Sequence, residues 1–133
     1  GEDIDSITGM VAGGAQIILF TTGRGTPTGS PVAPVIKVTG NPETYAKMTD
    51  NIDINAGRVI TEGKTPQDIG AEIFDKMVAV ANGELTKAEV LGHKELVSAG
   101  GFTDLLVCLV VCSSFLGDRS VCSRCFIRKV KGY

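Results

Sequence analysis

The sequence predicts an α/β fold in which helices pack on a mostly parallel sheet, as in a Rossmann-like layered sandwich. Two apolar runs, 15–20 and 34–39, have the length and β-branched content of buried strands. Amphipathic helical patterns alternate with them, most clearly over 66–81. Such alternation is typical of parallel sheets covered by helices. Since only two convincing strands precede residue 98, we expect either a further strand from the apolar run 105–112 or an incomplete part of a larger domain.

The length and composition are those of a single globular domain with a hydrophobic core. The chain has 133 residues, of which 43% are hydrophobic and 21% charged, and its formal net charge is −2. This weak charge gives no indication of a nucleic-acid partner. The longest apolar run is far below the roughly 20 residues of a membrane-spanning helix, and the acidic start lacks the basic segment of a secretion signal. We therefore expect a cytoplasmic protein with neither a membrane nor a nucleic-acid partner.

Residues 98–133 differ in character from residues 1–97. The first region carries 8 basic and 13 acidic side chains, whereas the second carries 5 and 2. All cysteines lie in the second region, at Cys108, Cys112, Cys122 and Cys125. Their spacing leaves a structural zinc, disulfides and free thiols as alternatives, of which free thiols are favoured. The basic end could contact nucleic acid, although a solvated charge run is the favoured interpretation. We predict a body over 1–97 and a tail of unknown role over 98–133.

The first elements are a short helix and a strand. Asp5 or Ser6 can cap a helix that ends at Gly13, and the predicted strand 15–20 follows it. A loop then leads to the second strand, 34–39, whose first residue is proline. Proline is tolerated at that position of a strand and not at its centre.

The later helices have strong start signals. Asn41 is a candidate N-cap before a proline, and Thr65 is another, with Asp68 as a possible partner in a capping box. The apolar face of the helix that begins after Thr65 is predicted to pack on the sheet. A capping box from Thr86 to Glu89 predicts a last short helix. Between these helices, we predict a helix exit and loop over 50–57 and a short extended piece over 58–60.

The loop after the first strand is the candidate binding element. The residues predicted to bind a ligand are Thr21, Thr22, Gly23, Arg24, Gly25 and Thr26. They follow the carboxyl end of a strand, where α/β sheets bind ligands. The glycines permit a close backbone approach, the threonines offer hydroxyl groups, and Arg24 has a planar cation suited to a carboxylate or phosphate. The loop therefore predicts an anion site, and the alternative is a structural connection with tight turns.

Two other groups could carry chemistry. The first consists of Asp50, Asn51, Asp53 and Asn55. A metal or substrate site competes there with helix capping and turn chemistry, and the latter is favoured. The second is His93, the single histidine, for which a surface or helix-dipole role is favoured over catalysis. No group of ligating residues with credible metal spacing occurs in 1–97, so we assign neither a metal site nor catalytic residues to this chain.

Six stretches of the sequence carry a family resemblance. They are 9–16, 20–27, 30–37, 40–44, 50–57 and 69–74, and they include Gly13-Gly14-Ala15-Gln16, Thr22-Gly23-Arg24-Gly25, Gly40-Asn41-Pro42-Glu43 and Asp53-Ile54-Asn55-Ala56. On these stretches, residues 1–97 closely resemble the carboxyl-terminal part of the altronate and galactarate dehydratase family, whose relatives include the large subunit of sulfolactate sulfo-lyase. The resemblance implies a hydro-lyase that removes water from hexonate or hexarate sugar acids to give 2-keto-3-deoxy acids. It also implies a divalent metal of the iron type.

The chemistry expected of such a family is removal of the proton α to the substrate carboxylate, followed by loss of the β-hydroxyl group. In that scheme Arg24 suits a carboxylate clamp, with Thr21, Thr22 and Thr26 as hydroxyl donors. Because family members are several hundred residues long, the resemblance implies metal ligands outside this chain, and missing amino-terminal domains or a partner subunit. We expect the chain alone to be inactive.

Two alternatives to an enzyme fragment stay open. The chain is then a non-catalytic anion-binding or structural module, or a subunit of a split lyase such as a sulfolactate sulfo-lyase. No resemblance is recognised for residues 98–133, which leaves a shifted reading frame, a remodelled terminus and an appended module as explanations of the tail.

Overall fold

A parallel sheet of three strands lies at the centre of residues 3–95, the part of the chain that this computed structural model describes. The strands are β1 (Ile18–Thr21), β2 (Val35–Thr39) and β3 (Ile54–Asn55), in the spatial order β1-β2-β3. The helices are α1 (Asp3–Ala12), α2 (Pro42–Lys47), α3 (Arg58–Thr61), α4 (Pro66–Ala81) and α5 (Lys87–Val90). The α/β class predicted from the sequence is therefore confirmed. None of these helices is long and apolar enough to cross a bilayer.

The central strand β2 is buried along its whole length. All five of its residues are inaccessible to solvent or nearly so. On one edge it pairs with β1, from Ile18 opposite Val35 to Thr21 opposite Val38, and on the other edge Val38 pairs with Ile54 of β3. A parallel strand covered in this way needs apolar and β-branched side chains on both faces, which explains why the run reads as continuously apolar.

Each face of the sheet has its own core, because successive residues of a strand point to opposite sides. On one face Val35 packs with Ile18 and with the buried side of α1. On the other face Ile36 packs with Ile54 and with α4, which contributes Val80. The packing of α4 on the sheet agrees with the prediction from its apolar periodicity.

Three helices begin where their capping signals predict. Asn41 accepts a backbone hydrogen bond at the start of α2. Thr65 and Asp68 form a capping box at the start of α4, and Thr86 and Glu89 form another at the start of α5. In a capping box each side chain satisfies a backbone amide that the helix itself leaves unpaired.

Two of the predicted elements are wrong. The sequence predicts a loop over 50–57, but β3 lies within it, and the residues predicted as extended over 58–60 belong to α3. Strand β3 has only two residues, so it shows no periodicity and is defined by its pairing with β2. Just before α3, the side chain of Asn55 accepts a hydrogen bond from the amide of Gly57, and this turn precedes the helix despite the β-branched residues that suggested a strand. Strand β1 also begins later than predicted, at Ile18.

The carboxylate of Asp53 joins β2, β3 and α5. Its Oδ2 accepts a hydrogen bond from the amide of Lys37 at 2.8 Å, and its Oδ1 accepts one from the amide of Lys87 at 3.0 Å. The amide of Asp53 in turn donates to the carbonyl oxygen of Lys37 at 3.0 Å. Hydrogen bonds to an ionised acceptor are stronger than neutral ones, so this side chain stabilises the joint between the sheet and the last helix.

We predict that Asp53→Ala lowers the free energy of unfolding by about 3 kcal/mol, since each amide hydrogen bond to an ionised group contributes roughly 1.5 kcal/mol. Urea unfolding of the whole chain measures this change. Asp50→Ala is the matched control, because Asp50 is exposed three positions earlier in the same segment, and a change within about 0.5 kcal/mol is expected there. Equal losses in the two variants would contradict the role given to Asp53.

The predictions for the cysteines, for the run 105–112 and for the tail 98–133 concern residues outside 3–95.

Candidate functional site

A pocket of about 430 Å³ opens at the carboxyl ends of the strands. It is lined by Thr21, Thr22 and Gly23 after β1, by Val38, Gly40 and Asn41 at the end of β2, and by Ala56 after β3. The three strands run parallel and end together at this edge of the sheet. Ligand sites of α/β folds occur at such an edge. The pocket is shallow and open to solvent, so it can form one side of a small-molecule site.

Three of the six residues predicted to bind a ligand line this pocket, and three do not. Thr21, Thr22 and Gly23 belong to the lining. Arg24 comes directly after Gly23 and is exposed, and none of the ion pairs within residues 3–95 involves its guanidinium group. Gly25 and Thr26 instead pack toward the interior.

The first half of the loop forms a tight turn that α2 supports. The hydroxyl oxygen of Thr22 accepts a hydrogen bond from the amide of Gly25 at 3.0 Å. Behind the turn, the hydroxyl group of Thr44 donates to the carbonyl oxygen of Gly23 at 2.8 Å. These bonds fix the backbone on both sides of Arg24, whose side chain is exposed to solvent.

Gly25 lies where a side chain would not fit. Its φ is +86°, in the left-handed region that L-residues rarely adopt. A Cβ atom there would also lie 2.3 Å from Sδ of Met48 and 3.1 Å from Cγ2 of Thr44. The glycine therefore lets α2 approach the loop closely, a structural role that differs from the ligand contact predicted for it.

The second half of the loop is buried and tied to distant parts of the chain. The hydroxyl groups of Thr26 and Thr28 lie 2.7 Å apart and form a buried hydrogen bond. The amide of Gly29 donates to Oε2 of Glu95 at 2.8 Å, and a Cβ atom on Gly29 would lie 2.5 Å from the carbonyl oxygen of His93. Thr26 is thus a packing residue in this structure, with 5% of its surface exposed.

One charged residue beneath the loop, Lys37, was not predicted from the sequence to belong to the site. Lys37 lies in β2 with none of its surface exposed, and its Nζ donates to the carbonyl oxygen of Pro27 at 2.9 Å. Burial lowers the pKa of Lys37, while the charges of Asp53 and Glu95 partly oppose that shift. The only signal in the sequence is a lysine within an apolar run, which alone does not predict what its ammonium group contacts.

The carboxylate that holds Gly29 also has a shifted pKa. Partial burial would raise the pKa of Glu95, but the hydrogen bond from the Gly29 amide and the neighbouring His93 hold it below its ordinary value. The Nδ1 of His93 lies 3.4 Å from Oε1 of Glu95, and its Nε2 lies 3.2 Å from Oδ1 of Asn51. The single histidine therefore joins two loops by polar contacts and does not line the pocket.

The described part of the chain does not fit a resident metal ion. Within residues 3–95, no group of three or more His, Cys, Asp or Glu side chains is placed to hold one. In the segment weighed as a metal site, Asp53 and Asn55 accept backbone hydrogen bonds, and Asn51 contacts His93. The contact of Asn55 with Gly57 is the local turn chemistry that the sequence favours for this segment, whereas Asp53 and Asn51 contact residues distant in the chain.

Comparison with known proteins identifies the family. Residues 1–101 match the family described as D-galactarate/altronate dehydratase, C-terminal. The chain belongs to this family. The resemblance inferred from the six sequence stretches is thereby confirmed.

Several curated proteins are similar to this member of the galactarate/altronate dehydratase C-terminal family. Altronate dehydratase of Bacillus subtilis is 40% identical over 96 residues, which cover 72% of this chain and 19% of the relative. Galactarate dehydratase (L-threo-forming) of Escherichia coli is 40% identical over 77 residues, or 58% of this chain and 15% of the relative. The beta subunit of (2R)-sulfolactate sulfo-lyase from Chromohalobacter salexigens is 36% identical over 93 residues, or 70% of this chain and 24% of the relative. The chain thus spans at most about a quarter of the length of these relatives.

We predict that Gly25→Ala destabilises the fold by about 1–2 kcal/mol, because a residue with a Cβ atom must take a left-handed conformation there. Thermal or urea unfolding measures the change. Gly23→Ala is the matched control, since Gly23 has no positive φ and a Cβ atom on it would meet nothing within 4 Å. A Gly23→Ala variant as unstable as Gly25→Ala would contradict this account of the turn.

Proposed function

We propose that this chain is the carboxyl-terminal portion of a hydro-lyase that dehydrates hexonate or hexarate sugar acids to 2-keto-3-deoxy acids. In this proposal, residues 21–24 bind a substrate carboxylate as one part of a composite active site, and Gly25 and Thr26 support their conformation. The observation that carries it is a pocket at the carboxyl edge of the parallel sheet, lined by Thr21, Thr22 and Gly23, in a chain of this dehydratase family.

The residues around the pocket have the donors that such a substrate needs. Arg24 is exposed next to the pocket lining and has no ion-pair partner among residues 3–95, so its planar fork is available to a carboxylate. Thr21 and Thr22 have hydroxyl groups that can donate to sugar hydroxyls, and the Thr22 oxygen can go on accepting the hydrogen bond from the Gly25 amide while its O–H donates. Asn41 also lines the pocket. Its side-chain oxygen accepts a backbone hydrogen bond at the start of α2, which leaves its NH₂ group as a donor.

The proposed reaction determines what these groups contribute. A general base removes the proton α to the carboxylate, and negative charge develops on the carboxylate as the enolate-like intermediate forms. The guanidinium group of Arg24 stabilises that charge, and the rigid turn around it keeps the carboxylate in one orientation. We assign the general base, and the ligands of the iron-type metal that the family resemblance implies, to parts of the full-length enzyme beyond the described residues.

A second candidate function rests on the sulfo-lyase relative. A subunit of a split lyase also needs a carboxylate site, and the similarity to a protein named as a beta subunit supports this alternative. The two candidates differ in the acid that the pocket accepts. Parallel titrations with galactarate, altronate and sulfolactate therefore distinguish them.

We predict that galactarate binds the full chain and shifts the amide resonances of Thr21, Thr22 and Gly23 in nitrogen-15 NMR spectra. Arg24→Gln should weaken this binding by about tenfold or more, since a hydrogen-bonded ion pair contributes roughly 1.5–3 kcal/mol. Arg24→Lys should bind with intermediate affinity because it keeps the charge and loses the fork. Lys47→Gln removes an exposed cation from α2 and is the control.

The uncharged polyol galactitol tests whether the carboxylate is what Arg24 recognises. Its binding should be weak and equal in the wild type and in Arg24→Gln. If Arg24→Gln binds galactarate as tightly as the wild type, Arg24 is not part of the site.

We also predict that the purified chain does not dehydrate galactarate or altronate, even with ferrous iron present. The proton-transfer and metal groups of the proposed mechanism lie elsewhere in the enzyme. A colorimetric assay for 2-keto-3-deoxy acids checks this expectation, with a full-length altronate dehydratase as the positive control. Product formed by the chain alone would refute the composite site.

A further inference from the structure

The loop over the pocket is closed at both ends by adjacent residues of one strand. At its start, the amide of Thr22 donates to the carbonyl oxygen of Val38 at 2.9 Å. At its end, the carbonyl oxygen of Pro27 accepts from Nζ of Lys37 at 2.9 Å. Because Lys37 and Val38 are neighbours in β2, the span between Thr22 and Pro27 has both ends fixed to the most buried strand.

Burying Lys37 in β2 costs desolvation free energy that a residue with only a packing role would not require. Its side chain is completely buried in the centre of β2, where its neighbours on the same face are Val35 and Thr39. Lysine is almost never fully buried unless its charge is paired. None of the ion pairs within residues 3–95 includes Lys37. The hydrogen bond described for its ammonium group is the one to the carbonyl oxygen of Pro27. An apolar side chain would fill this position without the cost of desolvating an ammonium group.

We propose that Lys37 is the positioning residue of the candidate site, because its ammonium group holds Pro27 and thereby fixes residues 21–26 in the conformation that binds the ligand. The inference rests on the proposed function only for the identity of that ligand. Lys37 itself does not line the pocket. It acts through the backbone, by reducing the number of conformations that a short span with two fixed ends can adopt.

The acidic groups around Lys37 support a charged side chain in this position. The negative charges of Asp53, in the segment before β3, and of Glu95, at the end of the described chain, both favour the ammonium form of Lys37 by raising its pKa. Glu95 holds Gly29 directly and is itself next to His93. The same two acids that favour the ammonium form therefore also support the strands and the loop around it.

A second lysine provides a matched control. The Nζ of Lys87 donates to the carbonyl oxygens of Thr49 and Ile52, so it ties down a different segment by the same chemistry. Loss of its ammonium group should loosen residues 49–52 and leave the loop over the pocket unchanged.

Limited trypsin digestion of the full chain tests the proposal, because Arg24 is itself a trypsin site within the loop. Cleavage after Arg24 is compared with cleavage after Lys64, which lies in the connection between α3 and α4. Lys37→Met keeps the apolar stem and removes the donor. It should raise the ratio of these two cleavage rates by about tenfold, the factor that corresponds to the loss of one hydrogen bond to a charged group. Lys87→Met should leave the ratio unchanged.

The free energy of unfolding separates positioning from a general structural role. Since Lys37→Met also removes the cost of burying a charge, its unfolding free energy should be unchanged or higher while the loop is cleaved faster. A residue that only supported the fold would show lower stability and faster cleavage at both sites, and that result would overturn the proposal. If Lys37→Met does not fold, Lys37→Gln is the second variant, and it should show a smaller increase in cleavage because it retains a neutral donor.

The pH dependence of the unfolding free energy tests whether the ammonium group of Lys37 is buried. Burial lowers the pKa of Lys37 below its ordinary value of 10.5. The folded state then binds this proton less tightly than the unfolded state, so the unfolding free energy contributed by Lys37 rises with pH from the lowered pKa up to 10.5. This alkaline rise should be present in the wild type and absent from Lys37→Met. Identical profiles would show that the ammonium group is not buried.

Galactarate titration distinguishes failure of this inference from failure of the proposed function. Weaker galactarate binding by Lys37→Met, together with faster cleavage after Arg24, supports the positioning role. Unchanged cleavage, or faster cleavage with unchanged binding, overturns it. If the wild type binds no sugar acid, the proposed ligand is wrong, and the cleavage ratio still decides whether Lys37 fixes the loop.

Discussion

The complete burial of β2 constrains the rest of this structure. A strand covered on both faces and paired on both edges cannot shift its register without exposing one core and disrupting the other. Its alternate side chains therefore determine where α1 and α4 pack. The same strand supplies both fixed ends of the loop over the pocket, through the carbonyl group of Val38 and the ammonium group of Lys37. The geometry of the candidate site thus depends directly on the strand that is buried along its whole length.

Because the loop is fixed to β2, the backbone of the candidate site is ordered before a ligand binds. The turn around Arg24 is held by Thr22, by Thr44 and by the close approach of Met48 to Gly25 before any ligand arrives. A backbone that is already ordered loses little conformational entropy on binding, so more of the interaction with the proposed carboxylate ligand would appear as affinity. Arg24 remains the exception, because its exposed side chain must still be ordered by the ligand.

The features that could be predicted from the sequence are those determined by neighbouring residues. The capping box of Thr65 and Asp68 involves residues three apart, and the apolar run that forms β2 needs no partner to be recognised. Strand β3 could not be predicted, because its two residues are defined by pairing with a strand 16 residues earlier. The same limit applies to the site. Its loop was found from its pattern, whereas the contacts of Lys37 with Pro27 and of Gly25 with Met48 exist only in the folded chain.

The contact between Gly29 and Glu95 determines when the loop can become ordered as the protein folds. These residues are 66 positions apart, so their hydrogen bond closes most of the described chain into one ring. Contacts of such long sequence separation form late, because the entropy of closing the ring must be overcome first. A ribosome releases the strands and the loop well before Glu95 emerges, and the loop therefore lacks this support during synthesis. Within residues 3–95, we therefore expect the loop to become fully ordered only after the sheet that carries it has formed.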